Sequence, residues 1–388
     1  MRQLLKDLAV ICAGQGAPQG DNNYCENGTP FVKAGNLQEL LEGKAITSIQ
    51  KVSDEVAKKH KLKLYPKGTI LFAKSGMSCM KGYVYVLPQS AYVVSHLACV
   101  TPNEDASEYL RYFFNYHKPN QLVKDAAYPS ISLSDIGNLV VDMKSESERN
   151  AIVSVLQHAE SVITLRQKEL QKLDDLVKAR FVEMFGDMYL NTMEWRELQL
   201  ETMADIVSGI TKGRKIAGKQ LTKVPYMSVS NVKDGYIDWT TVKTIEATDQ
   251  EINQYRLLPD DVLMTEGGDP DKLGRGAIIR TPLENCIHQN HIFRVRLDES
   301  HILPDYFAEY LKHQRAKRYF LGCAKQTTGI ASINMKQLKA LPVLLPPLEL
   351  QNEFSAFIRQ IDKSKVVVQK ALDEAQTLFD SLMQQYFG

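Results

Sequence analysis

The chain contains an internal repeat that spans most of its length. The last two residues, Phe387-Gly388, repeat Phe185-Gly186, and one constant offset along the sequence pairs further identical residues without a gap. These pairs are Leu176 with Leu378, Leu170 with Leu372, Gln167-Lys168 with Gln369-Lys370, Asn150 with Asn352, and Ser130-Ile131 with Ser332-Ile333. With small changes of offset, His96 aligns with His291 and Pro66–Leu71 with Pro259–Met264. Self-similarity at a fixed period indicates a duplicated architecture, so we expect two similar globular units, each followed by one long helix.

Each predicted long helix carries a heptad pattern of apolar residues. The first, over 145–185, begins with capping-box spacing at Ser145 and Glu148, and its seam is Ile152, Leu156, Ala159, Ile163, Arg166, Leu170, Leu173, Val177, Arg180 and Met184. The second follows Pro346-Pro347, and its seam is Phe354, Ile358, Ile361, Lys365, Val368, Leu372, Ala375, Phe379, Leu382 and Tyr386. Because basic residues interrupt the two seams at different places, we expect the helices to pair as an antiparallel coiled coil. The alternative is that each helix packs on its own domain.

The order of strand and helix patterns predicts an α+β fold: two similar mixed α/β domains, separated by two long antiparallel coiled-coil helices, with a pseudo-two-fold internal repeat. The predicted segments are 1–144 (first domain), 145–188 (first long helix), 189–345 (second domain) and 346–388 (second long helix). In the first domain, β-branched and aromatic runs predict strands at Ile70–Ala73, Tyr83–Leu87, Tyr92–Val100 and Leu139–Val141, with a helix at Asp105–His117. The second domain is predicted to have strands at Val262–Thr265, Gly276–Arg280, His291–Leu297 and Leu341–Leu345, with a helix at Asp305–Phe320.

Composition excludes several classes of protein. Hydrophobic residues make up 44% of the chain and charged residues 24%, as is typical of a soluble globular protein. The net charge of +1 is too small to indicate nucleic-acid binding by itself. The six cysteines form no Cys-x-x-Cys pair, so neither a disulfide framework nor a zinc ribbon is indicated, and free thiols fit a reducing cytosol. Since no stretch approaches the ~20 apolar residues of a membrane span, we expect a cytoplasmic protein.

Motifs that carry chemistry are missing from the sequence. It has no P-loop, no Gly-x-Gly-x-x-Gly after a strand and no His-Glu-x-x-His. Cys286, His288 and His291 are close enough in sequence to suggest a metal site, but a fourth ligand and an acidic partner are not evident. We therefore favour structural or polar-contact roles for these three residues, and we expect the chain itself to be non-catalytic.

Polar loops at matched positions of the two copies are the candidate contacts with nucleic acid. Equivalent strands are followed by Lys74–Met77 in one copy and by the glycine-rich segment Glu266–Gly276 in the other. Glycine lets a backbone approach a ligand closely, and Arg and Lys suit guanine edges and phosphates. The predicted DNA-binding residues are Lys74, Ser75, Lys81, Lys124, Tyr128, Lys212, Arg214, Lys215, Asp269, Lys272, Arg275, Lys325, Gln326 and Thr327. Ordinary divergence of solvated loops after duplication is the alternative.

Several of these segments resemble one known family. The tail from Pro346 to Phe354, with its continuation to Gly388, resembles the distal conserved region of the specificity subunits of type I restriction-modification enzymes. The segment Arg149–Asp187 is similar to their central conserved region. Glu266–Gly276, together with His288–Phe293, is similar to a recurring target-recognition domain.

The resemblance implies a non-catalytic DNA sequence-specificity subunit. Each domain is then a target-recognition domain that reads one half of a bipartite, asymmetric site in double-stranded DNA. The helices fix the gap between the halves and dock two methyltransferase (modification) subunits, which methylate adenine at N6 with S-adenosylmethionine. Motor-nuclease (restriction) subunits use ATP and magnesium, so this chain itself needs no cofactor. The alternatives are a structural adaptor with paired protein-binding domains and a stand-alone nuclease or methyltransferase.

Acidic residues on the long helices are the candidate partner-docking residues: Asp174, Asp175, Asp373 and Glu374. Their alternative role is plain solvated surface. The half-site sequences, the length of the gap, the strand that each domain reads, the base that each loop residue contacts and the oligomeric state of the isolated chain do not follow from the sequence.

Overall fold

The computed structural model describes residues 1–214, 220–269, 273–327 and 329–388. The chain forms two compact units: unit 1 contains residues 1–167 and 370–388, and unit 2 contains residues 168–369. The boundary between the units falls inside both long helices. Each unit therefore combines a mixed α/β body with one half of each helix.

Unit 1 begins with a series of short strands and helices and leads into the first long helix. Its strands are β1 (Arg2–Leu4), β2 (Ala9–Ala13), β3 (Thr29–Val32), β4 (Lys51–Val52), β5 (Ile70–Ala73), β6 (Tyr85–Val86), β7 (Tyr92–Val93), β8 (Leu97–Pro102) and β9 (Val140–Asp142). Its helices are α1 (Leu5–Leu8), α2 (Asn36–Leu41), α3 (Asp54–Lys59), α4 (Ser107–Tyr116), α5 (Leu133–Gly137) and the start of α6 (Glu146–Phe185).

The described residues of unit 2 form the corresponding series, with three additional strands. Its strands are β10 (Arg196–Gln199), β11 (Ala204–Ser208), β12 (Thr222–Met227), β13 (Lys243–Ala247), β14 (Val262–Thr265), β15 (Gly267–Gly268), β16 (Gly276–Ile278), β17 (Ile287–His288), β18 (Ile292–Leu297), β19 (Lys325–Thr327), β20 (Ile330–Ser332) and β21 (Pro342–Leu345). Its helices are α7 (Asp249–Tyr255), α8 (Pro304–Lys312), α9 (Gln314–Cys323), α10 (Met335–Lys339) and most of α11 (Leu348–Phe387).

Both units contain the same set of sheets. The strand orders are β2-β8-β5-β6, β4-β3-β7 and β1-β9 in unit 1, and β11-β18-β14-β16, β13-β12-β17 and β10-β21 in unit 2. In each three-stranded sheet the middle strand pairs antiparallel with one neighbour and parallel with the other. Unit 2 adds the sheet β15-β20-β19 where unit 1 has a bridge between Ser75 and Ser130. The repeat predicted from the sequence is thus confirmed in the pairing of the strands.

The two long helices, α6 and α11, are each 40 residues long. Every position of the two predicted seams is buried or half-buried. In unit 2, Phe181 and Phe185 near the end of α6 contact Phe354 near the start of α11, and Asp174 pairs with Lys365 at 2.6 Å further along both helices. The helices are therefore antiparallel in this unit, as the seams predicted.

In unit 2 the helix pair is also part of the domain core. The ring of Phe181 stacks on Tyr306 of α8, with centroids 5.6 Å apart, and Phe185 meets the same ring edge-on at 4.9 Å. The Tyr306 hydroxyl donates a hydrogen bond to the Leu344 carbonyl at 2.6 Å, which satisfies its polar atom inside the core. In this unit the helices pair with each other and also pack on the domain. The sequence had left these two arrangements as alternatives.

Unit 1 uses the opposite ends of the same helices. The Tyr112 hydroxyl of α4 donates to Glu160 of α6 at 2.7 Å, and the Tyr112 ring lies 6.3 Å from Phe379 of α11. Tyr109 meets Phe387 of α11 at 5.2 Å. One face of α4 thus joins both long helices to the body of this unit.

Some predicted elements differ from the structure. The helix predicted over Asp305–Phe320 is wrong as a single element, because α8 ends and α9 begins at His313, whose backbone is extended. The His313 ring accepts a hydrogen bond from the backbone N–H of Arg315 at 3.4 Å and so caps α9. The strand predicted over Tyr92–Val100 is split into β7 and β8 by a tight turn at 94–97. The remaining predicted strands and helices agree with the structure to within two residues at each end.

None of the helices in the described part of the chain combines the length and apolar character that crossing a membrane requires.

Candidate nucleic-acid interface

In unit 1, backbone hydrogen bonds hold the loop after β5 against two other segments. The Lys74 N–H donates to the His96 carbonyl at 2.9 Å, and the Ile131 N–H donates to the Lys74 carbonyl at 2.8 Å. Ser75 then bridges to Ser130. Two predicted contact residues, Lys74 and Ser75, therefore lie on a backbone frame that three separate segments share.

Unit 2 repeats this frame with different side chains. The Glu266 N–H donates to the His291 carbonyl at 3.0 Å, and the Ile333 N–H donates to the Glu266 carbonyl at 2.9 Å. Glu266 therefore occupies the position of Lys74 in unit 1. The two units present opposite charges at the same point of the same frame.

The sheet that is added in unit 2 brings two predicted contact segments together. Strand β20 pairs with β15, the Gly267–Gly268 strand, and with β19, which is Lys325–Thr327. Lys325 and Asp269, which follows β15, are both exposed. The predicted contacts Lys215 and Lys272 lie outside the described residues, as do the side chains of Gln326 and Thr327, so these four stay predictions.

The other predicted contacts of unit 1 lie on its surface. The Tyr128 side chain is 83% exposed, two residues before the bridge at Ser130. Lys124 forms an ion pair with Asp135 at 2.9 Å, and Lys81 donates to a glutamine side chain, that of Gln38, at 3.2 Å. Because surface ion pairs contribute only about 0–1 kcal/mol, a phosphate can compete for Lys124.

Arg275 is half-buried behind the loop of unit 2. Its backbone carbonyl accepts a hydrogen bond from the Thr265 N–H at 3.3 Å, and its Nε is buried without a hydrogen-bond partner among the described residues. The preceding Gly274 has a φ of +75° and faces the ring of Phe320, so a larger residue does not fit there. The partly desolvated guanidinium would gain from a new acceptor, and its role as a DNA contact stays a prediction.

Arg214 is already paired. Its Nη2 lies 2.9 Å from Glu251 Oε2 and donates to the Glu246 carbonyl at 2.8 Å. Glu251 also accepts from the Thr248 N–H at 2.9 Å, which completes the capping box of α7. The hydrogen bonds from Arg214 lower the pKa of Glu251 to about 2. We attribute a structural role to Arg214 and do not carry it into the proposed interface.

Replacing Arg214 by glutamine is expected to lower the free energy of unfolding by about 1–2 kcal/mol at pH 6. Because the folded-state pKa of Glu251 lies below its usual range, the pair stabilises the fold above that range and loses this effect as the pH falls through about 2. The loss of unfolding free energy caused by Arg214→Gln, measured by urea unfolding, should therefore become smaller as the pH is lowered from 6 to 3. Lys212→Gln, which leaves the pair intact, is the control, and a deficit independent of pH would contradict the assignment.

Other arginines of unit 2 are also neutralised by acids. Arg294 pairs with Asp205, and Arg296 pairs with Asp261 at 2.8 Å. Lys212 is different, since it is exposed and its Nζ lies 5.3 Å from the centre of the Tyr226 ring. Lys212 is therefore more available for a phosphate contact than Arg294 or Arg296, and its role as a DNA contact stays a prediction.

Two of the three residues that first suggested a metal, Cys286 and His288, have structural roles. Cys286 and His288 are fully buried; burial raises the pKa of Cys286 to about 12 and lowers that of His288 to about 3, so both are neutral. His288 Nδ1 donates to the Ile292 carbonyl at 3.1 Å. Within the described segments, no group of three or more His, Cys, Asp or Glu side chains is arranged to hold a metal ion.

The predicted docking acids differ in their surroundings. Asp174 pairs with Lys365 of the neighbouring helix, so part of its charge contributes to helix pairing. Asp175 bonds to side chains of its own helix. Asp373 and Glu374 are exposed on α11, and Glu374 lies 3.9 Å from a lysine one turn earlier. Their role in docking stays a prediction.

Two glycines beside the candidate interface were not predicted from the sequence to be important. A methyl group on Gly14, just after β2, would overlap the carbonyl oxygen of Val94, and one on Gly209, just after β11, would overlap that of His288. Both glycines follow equivalent strands. Aligning the two copies beyond the identical residues would have revealed them as a matched pair.

Comparison with known proteins identifies the family. A family model for the type I restriction modification DNA specificity domain matches the chain twice, over residues 3–175 and 193–375. The chain belongs to this family. The predicted resemblance to specificity subunits is thereby confirmed, and the two matches coincide with the two copies of the repeat.

Named specificity subunits are similar to the chain over different lengths. The type I restriction enzyme StySPI specificity subunit of Salmonella potsdam is 22% identical over 384 residues, which cover 93% of this chain and 81% of that protein. The putative MjaX specificity subunit of Methanocaldococcus jannaschii and the EcoKI specificity subunit of Escherichia coli are each 26% identical over 50% and 41% of this chain. The chain spans 45% and 35% of the lengths of these two relatives.

Solved structures share the fold. The type I restriction-modification S subunit from M. genitalium has a TM-score of 0.58 at 14% identity, and the match covers 100% of this chain and 96% of that chain. A second chain, from work on complex assembly and conformational transition of the type I system, has a TM-score of 0.59 at 16% identity, covering 100% and 97%. The α+β fold with its duplicated domain and long helices is therefore that of specificity subunits.

Proposed function

We propose that the chain is the non-catalytic DNA sequence-specificity subunit of a type I restriction-modification complex. Each recognition domain reads one half of a bipartite, asymmetric site in double-stranded DNA. The observation that carries this proposal is the shared backbone frame after β5 and β14, on which Lys74-Ser75 in one unit is replaced by Glu266-Gly267 in the other.

The replacement of Lys74-Ser75 by Glu266-Gly267 fits two domains that recognise different DNA sequences. A fixed frame places each loop at the same depth relative to its sheet, while the side chains decide which hydrogen bonds form. A lysine favours guanine edges or phosphates, whereas a carboxylate accepts from the cytosine amino group. Two identical half-sites would not call for opposite charges at Lys74 and Glu266, whereas this difference fits an asymmetric site.

Partner subunits supply the chemistry in this proposal. Two methyltransferase subunits carry S-adenosylmethionine, motor-nuclease subunits use ATP and magnesium, and the long helices set the gap and dock the methyltransferases. Repeat-related apolar side chains are exposed on both helices: Leu165 with Val367, and Leu176 with Leu378. Exposed apolar side chains on a charged helix favour a protein contact, and their duplication favours two copies of one partner.

Sequencing of methylated adenines tests this function. The chain is expressed with its methyltransferase subunits in cells that lack other adenine methylation, and we expect one motif of two unlike halves around a fixed gap. The purified chain alone should bind this duplex and should not methylate it. Methylation by the chain alone would make it an enzyme, and assembly with proteins but no sequence-dependent DNA binding would make it an adaptor.

Lys325→Gln is expected to weaken DNA binding without changing the motif if Lys325 contacts a phosphate. The slope of log affinity against log salt should fall in magnitude by about 1, because one fewer counterion is released. Fluorescence anisotropy of the complex on its site, at several salt concentrations, measures this slope. Lys336→Gln, which removes an exposed lysine on the neighbouring α10, is the matched control. A changed base preference would assign Lys325 to a base edge instead.

A further inference from the structure

Two exposed histidines lie at the tips of equivalent turns. In unit 1 the Leu97 N–H donates to the Val94 carbonyl at 3.0 Å, which places His96 third in a four-residue turn. In unit 2 the Ile292 N–H donates to the Gln289 carbonyl at 2.9 Å, which places His291 third in the same kind of turn. Each turn leads into the strand that pairs with the central strand of its sheet.

Each ring is held by the candidate DNA loop, but by a different residue. His96 Nδ1 lies 2.8 Å from the Ser75 hydroxyl, and His291 Nδ1 lies 2.5 Å from Glu266 Oε2. Ser75 and Glu266 occupy successive rather than equivalent positions of the shared frame, since Glu266 corresponds to Lys74. The histidine is thus orientated in both units although its partner has changed.

The partner decides what the other ring nitrogen offers. A carboxylate can only accept, so His291 Nδ1 carries the proton and the Nε2 of the neutral ring is an acceptor. That Nε2 lies 3.3 Å from Asn290 Nδ2, a weak contact that a stronger donor can replace. The Ser75 hydroxyl can donate or accept, so His96 can present either a donor or an acceptor.

The surroundings favour a base edge for His291. Its side chain is 56% exposed, and a β-carbon at Gly268, which follows Glu266 in the same loop, would meet no heavy atom of the described residues within 4 Å. The carboxylate of Glu266 repels a phosphate. A base amino group is instead attracted to both Glu266 and the Nε2 of His291.

We propose that His96 and His291 are specificity-determining residues that contact bases at equivalent positions of the two half-sites. His291 accepts a hydrogen bond from an exocyclic amino group, of adenine or cytosine, in the half read by unit 2. Glu266 is its positioning residue. The inference rests on the proposed function, and it adds the residue and the hydrogen-bonding class at one position of each half.

Methylation of duplex libraries tests the inference. The complex with its methyltransferase subunits acts on sites in which one base pair at a time is varied. For His291→Ala we expect the preference at one position of the second half to fall by about 10-fold or more, with the first half unchanged. For His96→Ala we expect the preference at one position of the first half to fall, with the second half unchanged. Unchanged preferences in both variants, or an equal loss at both halves, would overturn the inference.

The matched control is His301→Ala. His301 is 55% exposed and its Nδ1 also pairs with a carboxylate, Asp298 at 3.1 Å, but it lies outside the candidate loops. We expect wild-type preferences from this variant and unchanged thermal unfolding from all three histidine variants. If the wild-type complex shows no sequence preference, the proposed function itself fails, whereas a specific wild type with unaffected His291→Ala refutes the inference alone.

Glu266→Gln tests the positioning role separately. A carboxamide can donate as well as accept, so the proton on the ring of His291 is no longer confined to Nδ1. We expect the imidazole nitrogen chemical shifts of His291 to move toward a mixture of tautomers, together with a reduced preference at the same base. Unchanged ring shifts would show that Glu266 does not set the tautomer.

Discussion

Phe354→Ala is expected to lower the free energy of unfolding of unit 2 by about 3–5 kcal/mol. Phe354 is fully buried, and its ring lies 5.5 Å from Phe181 and 5.4 Å from Phe185. Removing it leaves a cavity at the point where both long helices join the body of the unit. Since small domains are only about 5–15 kcal/mol stable in total, the change is large enough to uncouple the helices from the domain.

Urea unfolding and hydrogen exchange of the same sample measure this effect. Exchange should accelerate across α8 and the Phe354 end of α11, which share this core. Val366→Ala, which truncates an apolar side chain of α11 that is 69% exposed, is the control and should change the free energy by no more than about 0.5 kcal/mol. A similar loss in both variants would mean that the aromatic cluster does not hold unit 2 together.

Gly14→Ala is expected to abolish recognition of the first half-site and to destabilise unit 1 by about 1–3 kcal/mol. The added methyl group would overlap the carbonyl oxygens of Val93 and Val94, which belong to the segment leading into the His96 turn. Backbone atoms cannot rotate away as a flexible side chain can. The turn must therefore shift relative to the loop at Lys74, and the frame that orientates the loop opens.

Gly16→Ala is the matched control for this prediction. Gly16 lies two residues further on, has no positive φ, and a β-carbon there would meet no heavy atom within 4 Å. Methylation of the same site library should be normal for Gly16→Ala and should lose its dependence on the first half for Gly14→Ala. If both variants retain full preference, the approach of β2 to the turn does not support recognition.

The duplication and the long helices could be predicted because their signals are local and repeated. The offset that joins Phe185 to Phe387 needs no structure, and the seams of α6 and α11 follow from the 3.5-residue period. Every seam position, including Arg166 and Lys365, proved buried or half-buried. Long helices carry enough turns for their pattern to outweigh a few interruptions.

Contacts of individual side chains could not be predicted. The break at His313 depends on its ring capping the next helix, and no feature of the residue pattern separates this histidine from an ordinary helical one. The pairing of Arg214 with Glu251 joins residues that are far apart in sequence, so the sequence could not show that this basic loop residue already has an acidic partner. The frame that unites Lys74, His96 and Ile131 is likewise a product of three separate segments.

Unit 1 is built from two segments that lie on either side of unit 2 in the sequence, and this has a consequence for biosynthesis. Phe379 and Phe387 complete the core beside Tyr109 and Tyr112, yet a ribosome adds them only after all of unit 2. Unit 2 can finish folding while the nascent first domain still exposes these aromatic rings to solvent. The first segment of unit 1 is therefore translated before unit 2 but completes its core after it, and until then chaperones have an apolar surface to bind.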